Sequence, residues 1–395
     1  MGAGGGKKVL PAGFWRRLFA PAQRLRRKAE ANARAGRVKE ALALYQSLLA
    51  LYSEDVELHL AVADLFFQVE KWEEAARHYW EALSLDVGCV GAYRGYLAAL
   101  QRLGRLEEAA QALRELGRAR PESPCPPNYL GVALYLNGSI TEAAQIWEEV
   151  LEKHPKFAPA HSNLGSVHLQ QGDFARALFR FQLAAELDPG GSAVAYNNMG
   201  EVYLLRGDYA QAMGFFQRAI ELDPRLAIPY ANLGHCYYAV GKWEEAIAVY
   251  EKALSALNPG LSSDDTEIEV LTCLTRVYAR LRQYDRAIEV GLRVLARRPG
   301  WERILALLGH IYLQKGEFEK AVEYLQRALL AGGGEWLGFA LHRNLALVYY
   351  RMGRFKEAVI EYKMAYATYF DQLFADMPPW GGGGGSERWI ASARF

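Results

Sequence analysis

The chain is poor in the features that announce chemistry. It has four cysteines in 395 residues, Cys89, Cys125, Cys236 and Cys273, with no CxxC spacing, which argues against a disulfide framework and leaves free thiols in a reducing compartment. No Gly-rich phosphate loop, nucleophile elbow or HExxH stretch occurs, so the motif-borne routes to phosphoryl transfer and hydrolysis are missing. The longest uncharged stretch, Ser123 to Thr141, is broken by Pro124, Pro126, Pro127 and Asn137-Gly138 and lacks the unbroken apolar length of a membrane span. Strand-like alternation is almost absent, while 51% of the residues are hydrophobic, enough for a continuous helical core.

A net charge of one sign is also lacking, but the overall +1 hides an asymmetry: residues 1–40 carry eleven Lys and Arg against two Glu, and the rest of the chain 35 against 43 acids. In that basic head Phe14, Trp15, Leu18 and Phe19 share a helical face beside Arg16 and Arg17, ahead of Arg24, Arg26, Arg27 and Lys28. Such a segment, residues 14–28, suits peripheral contact with an anionic membrane or an acidic partner; a frayed basic leader is the plainer reading. The apolar stretch is too short and too rich in arginine for a secretion signal, and Gly6 stands where a myristoylation site has Ser or Thr.

What the chain has in abundance is one phrase. A turn residue, usually Gly, is followed five positions later by Ala and four beyond that by a large apolar residue. The turns are Gly36, Glu70, Gly104, Gly138, Gly172, Gly207, Gly241, Arg282, Gly316 and Gly353, a period near 34 that means one supersecondary unit stacked many times. In residues 161–189, Leu164, Gly165 and His168 share one helical face and Ala177, Phe181 and Ala184 share another. Gly165 and Ala177 are expected to let two backbones approach, Gly172 to turn the chain, Asp173 to cap the next helix and Pro189 to stop it. Two further copies read Tyr196, Met199, Gly200, Tyr203, Gly207, Ala212, Phe216, Ala219, Pro224 and Tyr230, Leu233, Gly234, Tyr237, Gly241, Ala246, Tyr250, Ala253.

These residues resemble the tetratricopeptide repeat (TPR) family, such as the superhelical arrays of bacterial TPR proteins and of O-linked N-acetylglucosamine transferase. The resemblance implies an all-α, right-handed α-solenoid of about ten helix-turn-helix repeats over residues 22–372. A basic segment, 1–21, precedes it, and a capping end, Gly381 to Gly385 linker and short tail, 373–395, follow. Glu70 and Arg282 depart from the turn Gly, and Gly291 from the second-helix aromatic. Extra residues near 258–266 and 331–335 break the period, with a hinge after residue 257 as one consequence. Met364, Tyr366, Tyr369, Phe370, Leu373 and Phe374 extend the last helix, as an end repeat that closes its apolar side would require.

In this family the first helices line a concave groove, and the residue before the Leu-Gly pair points into it. Here that residue is Asn163, Asn198, Asn232 and, in the tenth copy, Asn344. Such a ladder can grip the main chain of an extended peptide, or each Asn can bond across a copy boundary and hold the stack. One turn away lie Ser166, Gln170, Glu201 and His235, with Val194, Leu205 and Ile228; in copies eight to ten the neighbours become Arg276, Arg280, Arg303, His310 and Arg351, interrupted by Glu269. The pattern suits a peptide whose backbone lies on the asparagines and whose acidic group or C-terminal carboxylate meets the arginines. The Lys/Asn triplet of the chaperone-binding carboxylate clamp is missing.

The repeats consume the chain, leaving two short tails and no room for a catalytic pocket, so a non-catalytic scaffold or adaptor is expected, with no cofactor and no metal. His161 and His168 sit where the family packs aromatics. Nucleic acid is disfavoured, since only copies eight to ten are basic. The alternative is a targeting subunit that recruits an enzyme to a membrane or acidic surface through its basic head. Either fits a cytoplasmic protein, membrane-associated in the second case.

Overall fold

A turn every 34 residues leaves room for two helices of about thirteen residues and two short links, and the computed structural model contains ten such hairpins. It describes the backbone of residues 12–257, 264–332 and 335–375, and the side chains of residues 22–257, 265–332 and 338–367. Among the described residues there are twenty helices and no strand. They fall into two compact units, Met1–Glu267 and Ile268–Phe395.

The first unit opens with α1 (Ala12–Arg34) and α2 (Val38–Leu49), α3 (Val56–Gln68) and α4 (Trp72–Leu85), and α5 (Val90–Arg102) and α6 (Leu106–Ala119). It continues with α7 (Cys125–Leu136) and α8 (Ile140–Lys153), α9 (Ala158–Gln170) and α10 (Phe174–Leu187), α11 (Ser192–Leu205) and α12 (Tyr209–Leu222), and α13 (Ala227–Ala239) and α14 (Trp243–Ala256). The second unit holds most of α15 (Asp264–Arg280), then α16 (Tyr284–Arg297), α17 (Glu302–Lys315) and α18 (Phe318–Leu330), and α19 (Glu335–Arg351) and α20 (Phe355–Ala375).

Local chemistry sets each hairpin. At Gly172, φ is +76°, and the Asp173 N–H reaches back to the His168 carbonyl at 2.9 Å, closing the last turn of α9. Asp173 then caps α10 by accepting from the Arg176 N–H at 3.0 Å; Asp208 and Asp55 do the same for α12 and α3. Glu70 and Arg282 make the same left-handed turn without glycine, at φ +60° and +56°, which costs an L-residue about 1–2 kcal/mol.

Packing between the two helices of a hairpin refines the sequence reading. The gap over Gly165 is filled by the buried Phe181 ring, so close that a Cβ on Gly165 would stand 2.6 Å from it; Gly200 meets Phe216 in the same way at 2.6 Å, and Gly234 meets Tyr250 at 2.5 Å. The small residue therefore makes room for an aromatic ring rather than for a second backbone. In the second unit Gly309 lies against Leu325 at 2.6 Å, and Gly291, standing where an aromatic is usual, faces Leu308. Successive first helices touch, α3 to α5, α5 to α7, α7 to α9, α9 to α11 and α11 to α13 in the first unit, and α17 to α19 in the second. One buried core runs unbroken from Ala29 to Val167.

At the ends, the boundary expected at residue 22 falls inside α1. Arg26 is tied within the unit, to Glu57 of α3 and to Glu30, whereas Arg24, Arg27 and Lys28 are exposed. The side chains of Phe14, Trp15, Leu18 and Phe19 lie outside the described residues, as do residues 258–263, 333–334, the linker and the tail. α20 runs to Ala375, yet Met364 and Tyr366 are exposed; Tyr369, Phe370, Leu373 and Phe374 fall outside the described side chains. Among the described residues no helix is long and apolar enough to cross a membrane. The four cysteines are free, and burial pushes the Cys236 thiol up to about 12.

Candidate functional site: the inner face of the first helices

Each first helix buries one side and shows the other. In α9, Ala160, His161, Leu164, Gly165 and Val167 are buried, while Asn163 and Ser166 are half-exposed and Gln170 is exposed. These three lie nine, six and two residues before the turn, and the same register in α11 holds Asn198, Glu201 and Leu205, and in α13 Asn232 and His235. We call this side the inner face. In the second unit it carries the exposed Arg276 and Arg280 on α15, Arg303, His310 and Gln314 on α17, and Arg351 with the half-exposed Asn344 on α19.

The asparagines are bonded across copy boundaries. Asn163 donates its amide to Asn128 Oδ1 at 2.9 Å, and Asn232 donates to Asn197 Oδ1 at 3.1 Å. Asn198 donates to Ser162 Oγ at 3.5 Å and accepts from Asn197 at 3.3 Å. Asn128 and Asn197 are themselves buried, so these bonds satisfy groups that would otherwise be costly. One amide hydrogen on each of Asn163, Asn198 and Asn232 is used in the stack, and a second remains for a ligand. The buried partners escaped sequence reasoning, although Asn128 and Asn197 stand one position from the register that was followed.

Two carboxylates sit at the position six before a turn. Asp64 on α3 accepts from the Tyr79 hydroxyl at 2.6 Å; desolvation still raises its carboxyl above the ordinary value. Glu201 on α11 is half-buried, and burial alone raises it. Its charge is felt at Tyr135 of α7, whose phenol is raised by burial and then by Glu201. Ser166 bonds its own helix at Ser162 O, and His235 packs edge-on against Tyr250 at 5.7 Å.

The second unit gathers positive charge. His310 on α17 is held below its ordinary pKa by partial desolvation and then by Arg343 and Arg280, so three successive first helices, α15, α17 and α19, bring Arg280, His310 and Arg343 together. Arg343 was missed in the sequence because it lies beside Asn344 rather than on the register; it packs over Phe339 at 5.9 Å. Like charges so placed repel one another, and an anion would relieve the repulsion.

The two histidines that suggested a metal pair are placed differently. His161 has both ring nitrogens engaged, with Pro155 O at 2.9 Å and Arg180 at 3.1 Å, and burial lowers its pKa. Among the described residues no group of three or more His, Cys, Asp or Glu could hold a metal ion.

Comparison with known proteins follows the same lines. Family models of the tetratricopeptide repeat match residues 60–124, 130–192, 193–226, 225–299 and 302–369. A human protein named protein O-mannosyl-transferase TMTC1 is 27% identical over 158 residues, 39% of this chain but only 18% of that protein. The chain therefore spans about a fifth of this relative's length. Among solved structures, the APC/C hetero-tetramer Cut9-Hcn1 superposes with a TM-score of 0.59 at 20% identity, over 78% of this chain and 59% of that one. YrrB, described as a TPR protein with an unusual peptide-binding site, gives 0.40 at 23% identity over 50% of this chain and 97% of its own. The former likeness concerns the fold alone.

Proposed function

Because this chain belongs to the tetratricopeptide repeat family, an all-α architecture of protein-interaction scaffolds, we propose that it is a non-catalytic adaptor whose inner faces hold extended peptide segments of partner proteins. The observation that carries this reading is the Arg280, His310 and Arg343 cluster: cations from three helices converge with no structural need for them, and a guanidinium fork suits a carboxylate. In the first unit the spare amide groups of Asn163, Asn198 and Asn232 suit a peptide main chain, and Val194, Leu205 and Ile228, all exposed, suit its apolar side chains. Nothing on the inner faces assembles a nucleophile, base and oxyanion donors, which favours recruitment over turnover.

The test is binding of the full-length chain to immobilised fifteen-residue peptides, acidic and neutral, with two variants. Arg280→Glu with Arg343→Glu is expected to lose acidic peptides selectively. Asn163→Ala, Asn198→Ala and Asn232→Ala together are expected to weaken neutral peptides while far-ultraviolet circular dichroism stays native. Retention of all peptides by both variants would sink the reading.

A further inference from the structure

The position six residues before the turn differs in chemistry from copy to copy, and its two acidic occupants in the first unit are treated differently. Asp64 is closed from within by the hydroxyl of Tyr79, the aromatic residue nine positions after the turn of its own copy. In the copy of Glu201 the corresponding ring is Phe216, fully buried and without a hydroxyl. Among the described residues no side chain donates to Glu201. A half-buried acceptor left without a donor is costly, by about 1–3 kcal/mol for a fully desolvated group, unless a ligand supplies the donor.

The surroundings define which donor. Tyr135 on α7 approaches Glu201 across α9, near enough to sense its charge, and Asn198 stands one turn earlier on α11. No cation of the chain offsets the carboxylate. A carboxylate beside a phenol ring, in a partly desolvated recess, matches an ammonium or guanidinium group, which gains a charge-assisted hydrogen bond from the first and the ring's negative face from the second.

We propose that Glu201, with Tyr135 facing it across α9, is a subsite for one lysine or arginine side chain of the segment held on the first unit's inner face. The subsite rests on the peptide-binding reading and adds the class of residue recognised, opposite in sign to that expected at Arg280 and Arg343.

The experiment uses the full-length chain and fifteen-residue peptides of Ser, Thr and Ala, with a single Lys, Arg, norleucine or Glu walked through every position. Wild type is expected to favour Lys or Arg over norleucine about tenfold at one register, the value of one charge-assisted hydrogen bond. Glu201→Gln is expected to erase that preference without losing the norleucine peptides, and Glu201→Lys to transfer it to Glu. Phe216→Tyr is expected to erase it as well, by giving Glu201 the internal donor that Asp64 has; Tyr250 already occupies the matching place over Gly234. Equal binding of Lys and norleucine peptides by wild type would overturn the subsite and leave the groove standing, whereas retention of no peptide at all would overturn both. A melting temperature of Glu201→Gln well below wild type would make Glu201 a structural group and likewise overturn the subsite.

Discussion

The two units are built from the same hairpin, yet their inner faces differ at matching positions. Six residues before the turn the first unit places Ser166, Glu201 and His235, and the second Arg276, His310 and Leu347; two residues before it, Gln170 and Leu205 are answered by Arg280, Gln314 and Arg351. One face is amide-lined and apolar with a single open carboxylate, the other cationic. The scaffold can afford this because the buried side of each first helix satisfies the stack, leaving the inner side free to change sign.

The largest effect that would sharpen this contrast is electrostatic. Reversing Arg280 and Arg343 together should weaken an acidic peptide about 100-fold, roughly 3 kcal/mol for two charge-assisted contacts, and flatten its salt dependence, while peptides of the first unit are untouched; titration calorimetry across a salt series reads both. Next is packing. Gly200→Val forces a side chain into the Phe216 ring, and denaturant unfolding should register a loss of about 1–3 kcal/mol, located by hydrogen exchange in α11 and α12 rather than in the second unit. Smaller still, Glu70→Gly and Arg282→Gly each relieve a left-handed turn and should stabilise their own unit by about 1 kcal/mol, seen as a rise in denaturant midpoint.

The gentlest test is pH. His310 is held below its ordinary pKa by burial, Arg343 and Arg280, and a bound carboxylate raises it. Affinity for an acidic peptide should therefore rise as pH falls below 6.5, while the peptide carboxylate is still ionised, and His310→Gln should remove the slope. Acidification acts the other way on stability in the first unit. His78 lies at about 4 through burial, His59 and Arg77, and its Nδ1 meets that of His59 at 3.2 Å. The unfolded chain binds the proton first, so the stability of the neutral pair, complete above about pH 6.5, is lost progressively toward pH 4. Replacing His78 by Phe should flatten the melting temperature over that window.

The hairpins were legible because every copy carries its own local chemistry: a left-handed turn at Gly172, a capping Asp173, a small Gly165 opposite a large Phe181. These act within twenty residues and repeat ten times. The inner register was legible for the same reason, since helical spacing places Asn163, Ser166 and Gln170 on one side. What escaped depends on neighbours from other copies. Asn128 and Asn197 matter only once Asn163 and Asn232 lie beside them, 35 residues on. Arg343 joins Arg280 and His310 only after three helices are stacked. The contrast between Asp64 and Glu201 turns on a hydroxyl in the opposite helix, present at Tyr79 and missing at Phe216.

The non-glycine turns at Glu70 and Arg282 carry a consequence for how the molecule comes apart. Each unit owns one such joint, between α3 and α4 in the first and between α15 and α16 in the second, and in a linear array an opening at one joint propagates to its neighbours before it reaches the far end. Limited proteolysis should therefore nick first beside these two residues, dividing the chain at places set by backbone handedness rather than by loop length.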